Sequence, residues 1–416
     1  MDLRCIFKIL SLVNEVTMTH HPKGNRDLIR KINTNIVLTT IKNYAPISRT
    51  EIAKQTGLSA ATITAISGEL IEQDLVFEKE QGDSSGGRKP VLLAINPNGA
   101  FVIGIKLSTE HITGALTDFN SNLLLRTSQA VKEKSVDKVI TQLISVVENL
   151  MEEKGVERSK LLGVGVGLAG IVNSESGKLV YSPIFDWRNV SIVKKMEAKL
   201  HIPVYIDNDV NTLTMTENLF GAGKGVDDFL TVTIGRGIGL GIVVNGQIYR
   251  GGLGGAGEFG HTVIGREGPL CSCGKRGCLE GIASDPAMLK RAKTLFQKGE
   301  LGIEPKNIEN LFELAHDGNQ AAISIFEESG EALGIGISNL INLFNPQLII
   351  LSGEGIRSGE FILPAMYNTL EKNVMQGLKN FTEIRVDVWD DDAWARGAAS
   401  LVLTQLFEYP FQLEER

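Results

Sequence analysis

The chain has 416 residues, of which 43% are hydrophobic and 22% charged, with a formal net charge of −7. A chain of this length buries substantial cores, and the composition excludes wholesale disorder, a collagen repeat and a disulfide-dense secreted scaffold. No apolar run approaches the roughly 18–20 residues needed to cross a bilayer; the richest, residues 161–172, is short and rich in glycine. Membrane insertion is therefore not expected. The opening MDLRCIFKILSLV pairs Asp2 with Arg4 and lacks a small-residue cleavage site, unlike a signal peptide. The expected location is cytoplasmic. Residues 1–25 read as an N-terminal extension, with Met18 a second candidate start.

Residues 1–90 carry 12 Lys and Arg against 10 Asp and Glu, and the remainder carries 30 against 39. A mildly basic head on an acidic body fits a nucleic-acid-binding module joined to something else. Within that head, Ile29, Ile32, Ile36 and Ile41 fall near helical spacing, and Pro46 ends the helix. Ser48 and Glu51 form an S-x-x-E capping box that starts a brief second helix, punctuated by Gly57. Ser59 caps a third helix with Ile63, Ile66, Leu70 and Ile71 on one face. Helix, short glycine turn, helix is the helix-turn-helix pattern, and LVFEKE and PVLLAI around GDSSGG read as a wing. Residues 26–96 are thus expected to form a winged helix-turn-helix.

DNA recognition by this motif sets the first residues of the second helix against base edges. Those residues are Ser59, Ala60, Ala61, Thr62 and Thr64, small side chains that permit close approach and hydroxyl contacts. Arg49 opens the preceding helix where it could meet phosphate, and Arg88 and Lys89 put two cations at the wing tip. The competing reading is a protein-docking module, since helix-turn-helix trios serve there too.

From Phe101 the pattern changes. FVIGIKL, ITGALTD and LLLRT read as an antiparallel meander, followed by a helix from Val136 and the buried-looking strand LLGVGVG. A similar meander restarts at FLTVTIG, GLGIVVN and QIYRG, and QLIILSG follows a long helix near the end. Meander, helix and strand occurring twice predict an α/β body of two lobes, residues 97–416, with a cleft between them.

His261, Cys271, Cys273 and Cys278 read H-x9-C-x-C-x4-C. Thiolates and a neutral imidazole are what zinc selects, and a Cys3His set leaves no position open for water. One structural zinc ion per chain is expected. The bland readings are reduced cysteines on a loop or a strained Cys271–Cys273 disulfide. Around this cluster lie Glu258, three residues before His261, and Glu280, two after the last cysteine; Asn208 and Asp209 end a strand. Sugar hydroxyls both donate and accept, so carboxylates and amides gather in sugar pockets.

Glu258-Phe259-Gly260-His261 followed by CSCGKRGCLEG resembles the signature of the ROK family of repressors, open reading frames and sugar kinases. Residues 163–170 (GVGVGLAG), IDNDVN and GAGKG resemble further segments of that family, from about Phe101 to the end. The head resembles that of the repressor branch, which includes the xylose and N-acetylglucosamine repressors. The resemblance implies an actin-like fold of the sugar kinase and ribonuclease H-like type, with sugar contacts at Gly170, Asn208, Asp209, Glu258, His261 and Glu280. It also implies a sugar effector, an operator DNA and a homodimer as partners.

In the kinases of the family, the residue at Asp209 would be the general base. The nucleotide segments depart from the family pattern. Lys106-Leu107-Ser108-Thr109-Glu110 stands where the kinases carry an Asp-x-Gly-Gly-Thr type loop, and Arg236 replaces threonine in Gly235-Arg236-Gly237-Ile238-Gly239. Leu351-Ser352-Gly353-Glu354-Gly355 likewise carries Ser and Glu in place of glycine. Close approach of phosphate needs glycine and is opposed by an anion. The expectation is a sugar-sensing transcriptional regulator without enzymatic activity. The alternative is an ATP-dependent sugar kinase with a regulatory head.

Overall fold

The computed structural model describes residues 26–79, 91–387 and 391–407. The head comprises α1 (Arg26–Tyr44), β1 (Ile47–Ser48), α2 (Arg49–Thr56), α3 (Ala60–Glu72), β2 (Val76–Lys79) and β3 (Leu92–Ile95). Its capping box is formed: the Glu51 N–H donates to Ser48 Oγ at 3.2 Å and the Ser48 N–H to Glu51 Oε2 at 3.0 Å. Two otherwise orphaned donors are thereby satisfied, which fixes where α2 starts. Ser59 Oγ accepts from the Thr62 N–H at 3.1 Å and starts α3 in the same way. Strands β2 and β3 pair antiparallel as the wing, and the two-residue β1 adds to the other side of β3. The wing tip, with Arg88 and Lys89, lies outside the described residues.

Two compact units follow from the packing: Met1–Thr212 with Asp391–Arg416, and Leu213–Asp390. In the first, the meander is β4 (Phe101–Leu107), β5 (His111–Asp118) and β6 (Leu123–Ala130). It leads through α4 (Val136–Lys154) to β7 (Leu161–Leu168), then β8 (Ile171–Asn173), β9 (Lys178–Ser182), β10 (Trp187–Val190), α5 (Ile192–Leu200) and β11 (Val204–Asn208). The main sheet runs β11-β7-β4-β5-β6, with β7 parallel to both β4 and β11. Every residue of β7 is buried, as expected for a parallel strand covered on both faces. Val139, Leu143, Val146, Val147 and Leu150 of α4 form the stripe that covers one face. The small sheet β10-β9-β8 had no signal in the sequence pattern.

The chain passes into the second unit within α6 (Asp209–Phe220). There follow β12 (Phe229–Ile234), β13 (Ile238–Val244), β14 (Gln247–Ile248) and the cysteine loop, then α7 (Glu280–Ala283), α8 (Asp285–Gln297) and α9 (Ile308–His316). The long α10 (Gln320–Phe344), β15 (Leu348–Ser352), α11 (Gly359–Asn373) and β16 (Glu383–Val386) complete the unit, and α12 (Asp391–Phe407) belongs again to the first. The second sheet runs β14-β13-β12-β15-β16, which is third, second, first, fourth, fifth strand, as in the first unit. The duplication expected from element order is therefore real at the level of topology.

Helix α12 lies so close on the first sheet that only glycine fits beneath it. A Cβ on Gly165 would lie 1.7 Å from the Ala398 carbonyl oxygen, and one on Gly104 would lie 1.8 Å from that of Ala395. The glycines of GVGVG in β7 are thus a packing surface. Gly165→Ala is expected to destabilise the chain by roughly 3 kcal/mol, because backbone and not a flexible side chain must move. Urea denaturation followed by circular dichroism checks this; an unchanged midpoint would contradict the close approach.

Candidate functional site

The exposed face of α3 begins at its cap. Ser59, Ala60, Ala61 and Thr64 are exposed, together with Ala65, which the sequence pattern did not single out. Thr62 is half-buried, with Oγ1 2.8 Å from Ser59 Oγ, and so completes the cap. Arg49 is committed within the head: Nε donates to Ser67 Oγ at 2.9 Å and the guanidinium pairs with Glu78 at 2.7 Å. It ties α2 to α3 and to the wing.

In the first unit, three of the sugar candidates come together. Asn208 Nδ2 donates to the Gly170 carbonyl at 3.0 Å, and Asn208 Oδ1 accepts from the Val210 N–H at 2.8 Å. Asp209 starts α6, its Oδ1 accepting from the same N–H at 3.0 Å. Beneath them lies Asp207, fully buried, whose Oδ1 accepts from the Asn208 N–H at 2.7 Å and Asn211 Nδ2 at 2.9 Å. Asp207 was missed as a positioning residue, although IDND displays it beside the pair it holds.

The second unit brings the other three together with the cysteines. The side-chain donor atoms of His261, Cys271, Cys273 and Cys278 lie within 4.8 Å of one another. Cys273 and Cys278 Sγ are 3.7 Å apart, and Cys271 Sγ is 3.5 Å from His261 Nδ1. These two separations match edges of a tetrahedral site with ligand distances of roughly 2.0–2.3 Å. Local backbone pairing builds the loop: the Cys271 N–H donates to the Lys275 carbonyl at 2.8 Å, and Val263 bridges Cys278. Gly277 is required at φ +73°, where a Cβ would lie 1.7 Å from the Gly265 carbonyl.

Burial, together with the neighbouring Cys273 and Cys271 thiols, pushes the Cys278 thiol up to about 12. Burial also opposes the Cys273 thiolate, but hydrogen bonds led by the Lys275 N–H outweigh it and its pKa falls. Three thiolates so crowded repel one another unless a cation stands among them. All three are free cysteines, and the set fits a metal ion.

His261 turns Nδ1 to the sulfurs, and its Nε2 lies 3.9 Å from Glu258. Glu280 Oε1 is 4.0 Å from His261 and accepts from Ser272 Oγ at 3.3 Å, while its Oε2 accepts from the Ile238 N–H at 3.2 Å. That N–H belongs to the glycine loop at the β12–β13 turn. Nearby, the Asp285 N–H donates to the Gly235 carbonyl at 2.9 Å. Its side chain is 6% exposed, and its Oδ1 is buried without a hydrogen-bond partner. Burial first, and then the Glu354 charge, push the Asp285 carboxyl up to about 6.

The ROK family model matches residues 102–405. A putative xylose repressor from Caldicellulosiruptor sp. (strain Rt8B.4) is 33% identical over 396 residues, covering 93% of this chain and 99% of that protein. Among solved structures, a ROK family transcriptional regulator described as a homologue of the E. coli MLC protein superposes with a TM-score of 0.82 at 29% identity. It covers 91% of this chain and 97% of its own. A ROK family glucokinase from Streptomyces griseus, solved with glucose and AMPPNP, gives a TM-score of 0.64 at 26% identity; it covers 73% of this chain and 99% of its own.

The Asp285 environment has a measurable consequence. A folded-state pKa of about 6, against the usual 3.8, means the folded chain holds this proton more tightly than the unfolded one. The group's favourable contribution is present below about pH 4 and is lost as pH rises through about 6. Asp285→Asn should therefore match the parent at pH 4 and exceed it at pH 7.5 by on the order of 2 kcal/mol. Urea melts at the two pH values check this; equal stability at pH 7.5 would contradict it.

Proposed function

The chain belongs to the ROK family, and from that premise we propose that it is a sugar-responsive DNA-binding transcriptional repressor. The observation that carries this reading is coverage. The repressor relative matches 93% of the chain, whereas the glucokinase matches 73%. A winged helix-turn-helix with an exposed, small-residue recognition face occupies the N-terminal part. Its proposed DNA contacts are Ser59, Ala60, Ala61, Thr62 and Thr64, with Arg88 and Lys89 on the wing. Arg49 contributes chiefly by bracing the head, since its guanidinium already serves Ser67 and Glu78.

The effector in this reading is a neutral sugar, contacted by Gly170, Asn208, Asp209, Glu258, His261 and Glu280. A phosphate ester at Asp209 would meet a like charge. His261, Cys271, Cys273 and Cys278 would hold one zinc ion, which supplies a fixed cationic anchor for the loop. With Nδ1 so engaged, His261 keeps Nε2 for hydrogen bonding toward Glu258 and the ligand. No helix among the described residues is long and apolar enough to cross a membrane, and we place the protein in the cytoplasm as a homodimer on a two-fold operator.

A sugar kinase is the second reading, favoured by Asp209 at the end of β11, where a general base would stand. Against it, Lys106 replaces the first phosphate-loop aspartate and its Nζ stacks 4.3 Å from the Trp394 ring centroid. That cation is held by an aromatic face in its own unit.

The deciding experiment selects an operator from random-sequence DNA with purified protein, then titrates sugars into a mobility-shift assay. A cognate sugar should weaken operator binding by roughly 5–150-fold. Glu258→Ala should abolish that response and leave sugar-free DNA binding intact, while Thr64→Asp should weaken DNA binding and spare sugar affinity. Robust ATP-dependent phosphorylation of a sugar, lost in Asp209→Asn, would instead establish the kinase.

The metal assignment has its own test. Metal analysis should find one zinc per chain, and Cys273→Ser should lose it together with sugar binding, because the same loop carries Glu258, His261 and Glu280. Sugar affinity unchanged in that variant would refute the anchoring role.

A further inference from the structure

We infer that the glycine loop at residues 235–238 is an anion cradle occupied by carboxylates of this same chain, with Glu354 the residue that excludes a nucleotide's phosphates. Two N–H groups of the loop, two residues apart, each find a carboxylate. The Arg236 N–H donates to Glu354 Oε1 at 3.2 Å, and the Ile238 N–H donates to Glu280 Oε2 at 3.2 Å. Successive backbone N–H groups in a glycine-rich turn make a concavity suited to phosphate oxygens. Here carboxylate oxygens take those donors, so an incoming phosphate must displace them.

Steric fit shows that the Glu354 side chain fills the cradle and does not merely approach it. A Cβ on Gly235 would lie 2.5 Å from Glu354 Cδ and 2.7 Å from its Oε1, and a Cβ on Gly237 would lie 3.1 Å from Glu280 Oε2. The space that glycine leaves open for a ligand is already taken. Glu354 is also braced from behind: Arg357 Nε donates to the Glu354 carbonyl at 2.6 Å, and Arg357 Nη1 pairs with Glu309 at 2.5 Å. From the other side, the Asp285 N–H holds the Gly235 carbonyl, and the buried Asp285 carboxyl adds to the acidic surroundings. Glu354 thus stands in for a phosphate oxygen, and the loop keeps its hydrogen bonds with no nucleotide bound. This inference stands apart from the repressor reading, which operator binding tests; nucleotide binding tests this one.

The experiment uses full-length, zinc-loaded protein and isothermal calorimetry with two probes, inorganic pyrophosphate and MgADP. The parent should give no saturable heat with either at millimolar concentration. Glu354→Gly should bind pyrophosphate at least about tenfold tighter than the parent, and Glu354→Ala carries the same expectation should the glycine variant fail to fold. Zinc content and the thermal midpoint report folding in each case. Glu354→Gln keeps an amide oxygen for the Arg236 N–H and should stay closed. Binding by the parent as tight as by the variants, or no gain in either Glu354→Gly or Glu354→Ala, overturns the inference. So does Glu354→Gln binding as tightly as Glu354→Gly, since charge alone would then account for exclusion.

Discussion

The carboxylate of Glu280 joins the cysteine loop of the second unit to its glycine loop. One oxygen faces the cysteine loop, accepting from Ser272 Oγ beside His261; the other accepts from the Ile238 N–H. A charge-assisted hydrogen bond of this kind contributes about 1.5–3 kcal/mol net, enough to set the position of a short loop. Its placement follows from chain order: Glu280 opens α7 two residues after Cys278, so the thiol that closes the tetrahedral cluster also fixes where this carboxylate starts. A sugar hydroxyl that engages one oxygen of Glu280 would therefore act on a group already bound to the glycine loop. In the proposed reading, ligand recognition and loop geometry share one side chain.

The first unit meets a different constraint, one of packing. Ile41, Ile52, Ile63 and Leu70 of the head share a single buried cluster with Val102, Phe119, Leu162, Ala399 and Val402. Lys160 reaches back to pair with Asp74 at 3.1 Å. Burying a Leu or Ile side chain stabilises by roughly 1.5–3 kcal/mol, so a cluster of this size joins the head firmly to the sheet. Helix α3, the proposed recognition helix, is therefore packed into the same unit as Gly170, Asn208 and Asp209. For a DNA-binding sensor this matters, because a displacement within the unit has no slack linker in which to dissipate.

What was legible in the sequence were features with short-range causes. The capping box at Ser48 and Glu51, the spacing of His261 with the three cysteines, and the apolar stripe of α4 each depend on residues close in the chain. The polar pair Asn208–Asp209 was visible for the same reason. The β10-β9-β8 sheet was not, because its strands are short and lack strict alternation. Arg49 was read as a phosphate contact since its position beside a helix start suits that role; Ser67 and Glu78, distant in sequence, take its donors. The partner of Glu354 lies 118 residues away, so sequence showed a misplaced anion and the fold shows what it holds. Nothing in the sequence marks Asp285, an acid in the first turn of α8, and its burial reveals the cost of its charge.

A glycine loop without a bound anion still carries backbone N–H groups that need acceptors. The Ile238 N–H is partly buried, and without an acceptor it would destabilise the loop. Carboxylates from the same chain answer that requirement without a ligand, Glu354 at the Arg236 N–H and Glu280 at the Ile238 N–H. In the proposed reading such an arrangement is useful: the effector has to leave the site in the chemical form in which it arrived. Transfer of a phosphoryl group would convert the signal into a product. On that reading, a chain that keeps the proposed sugar contacts and seats Glu354 on the Arg236 N–H would retain recognition while barring the co-substrate that would consume what it recognises.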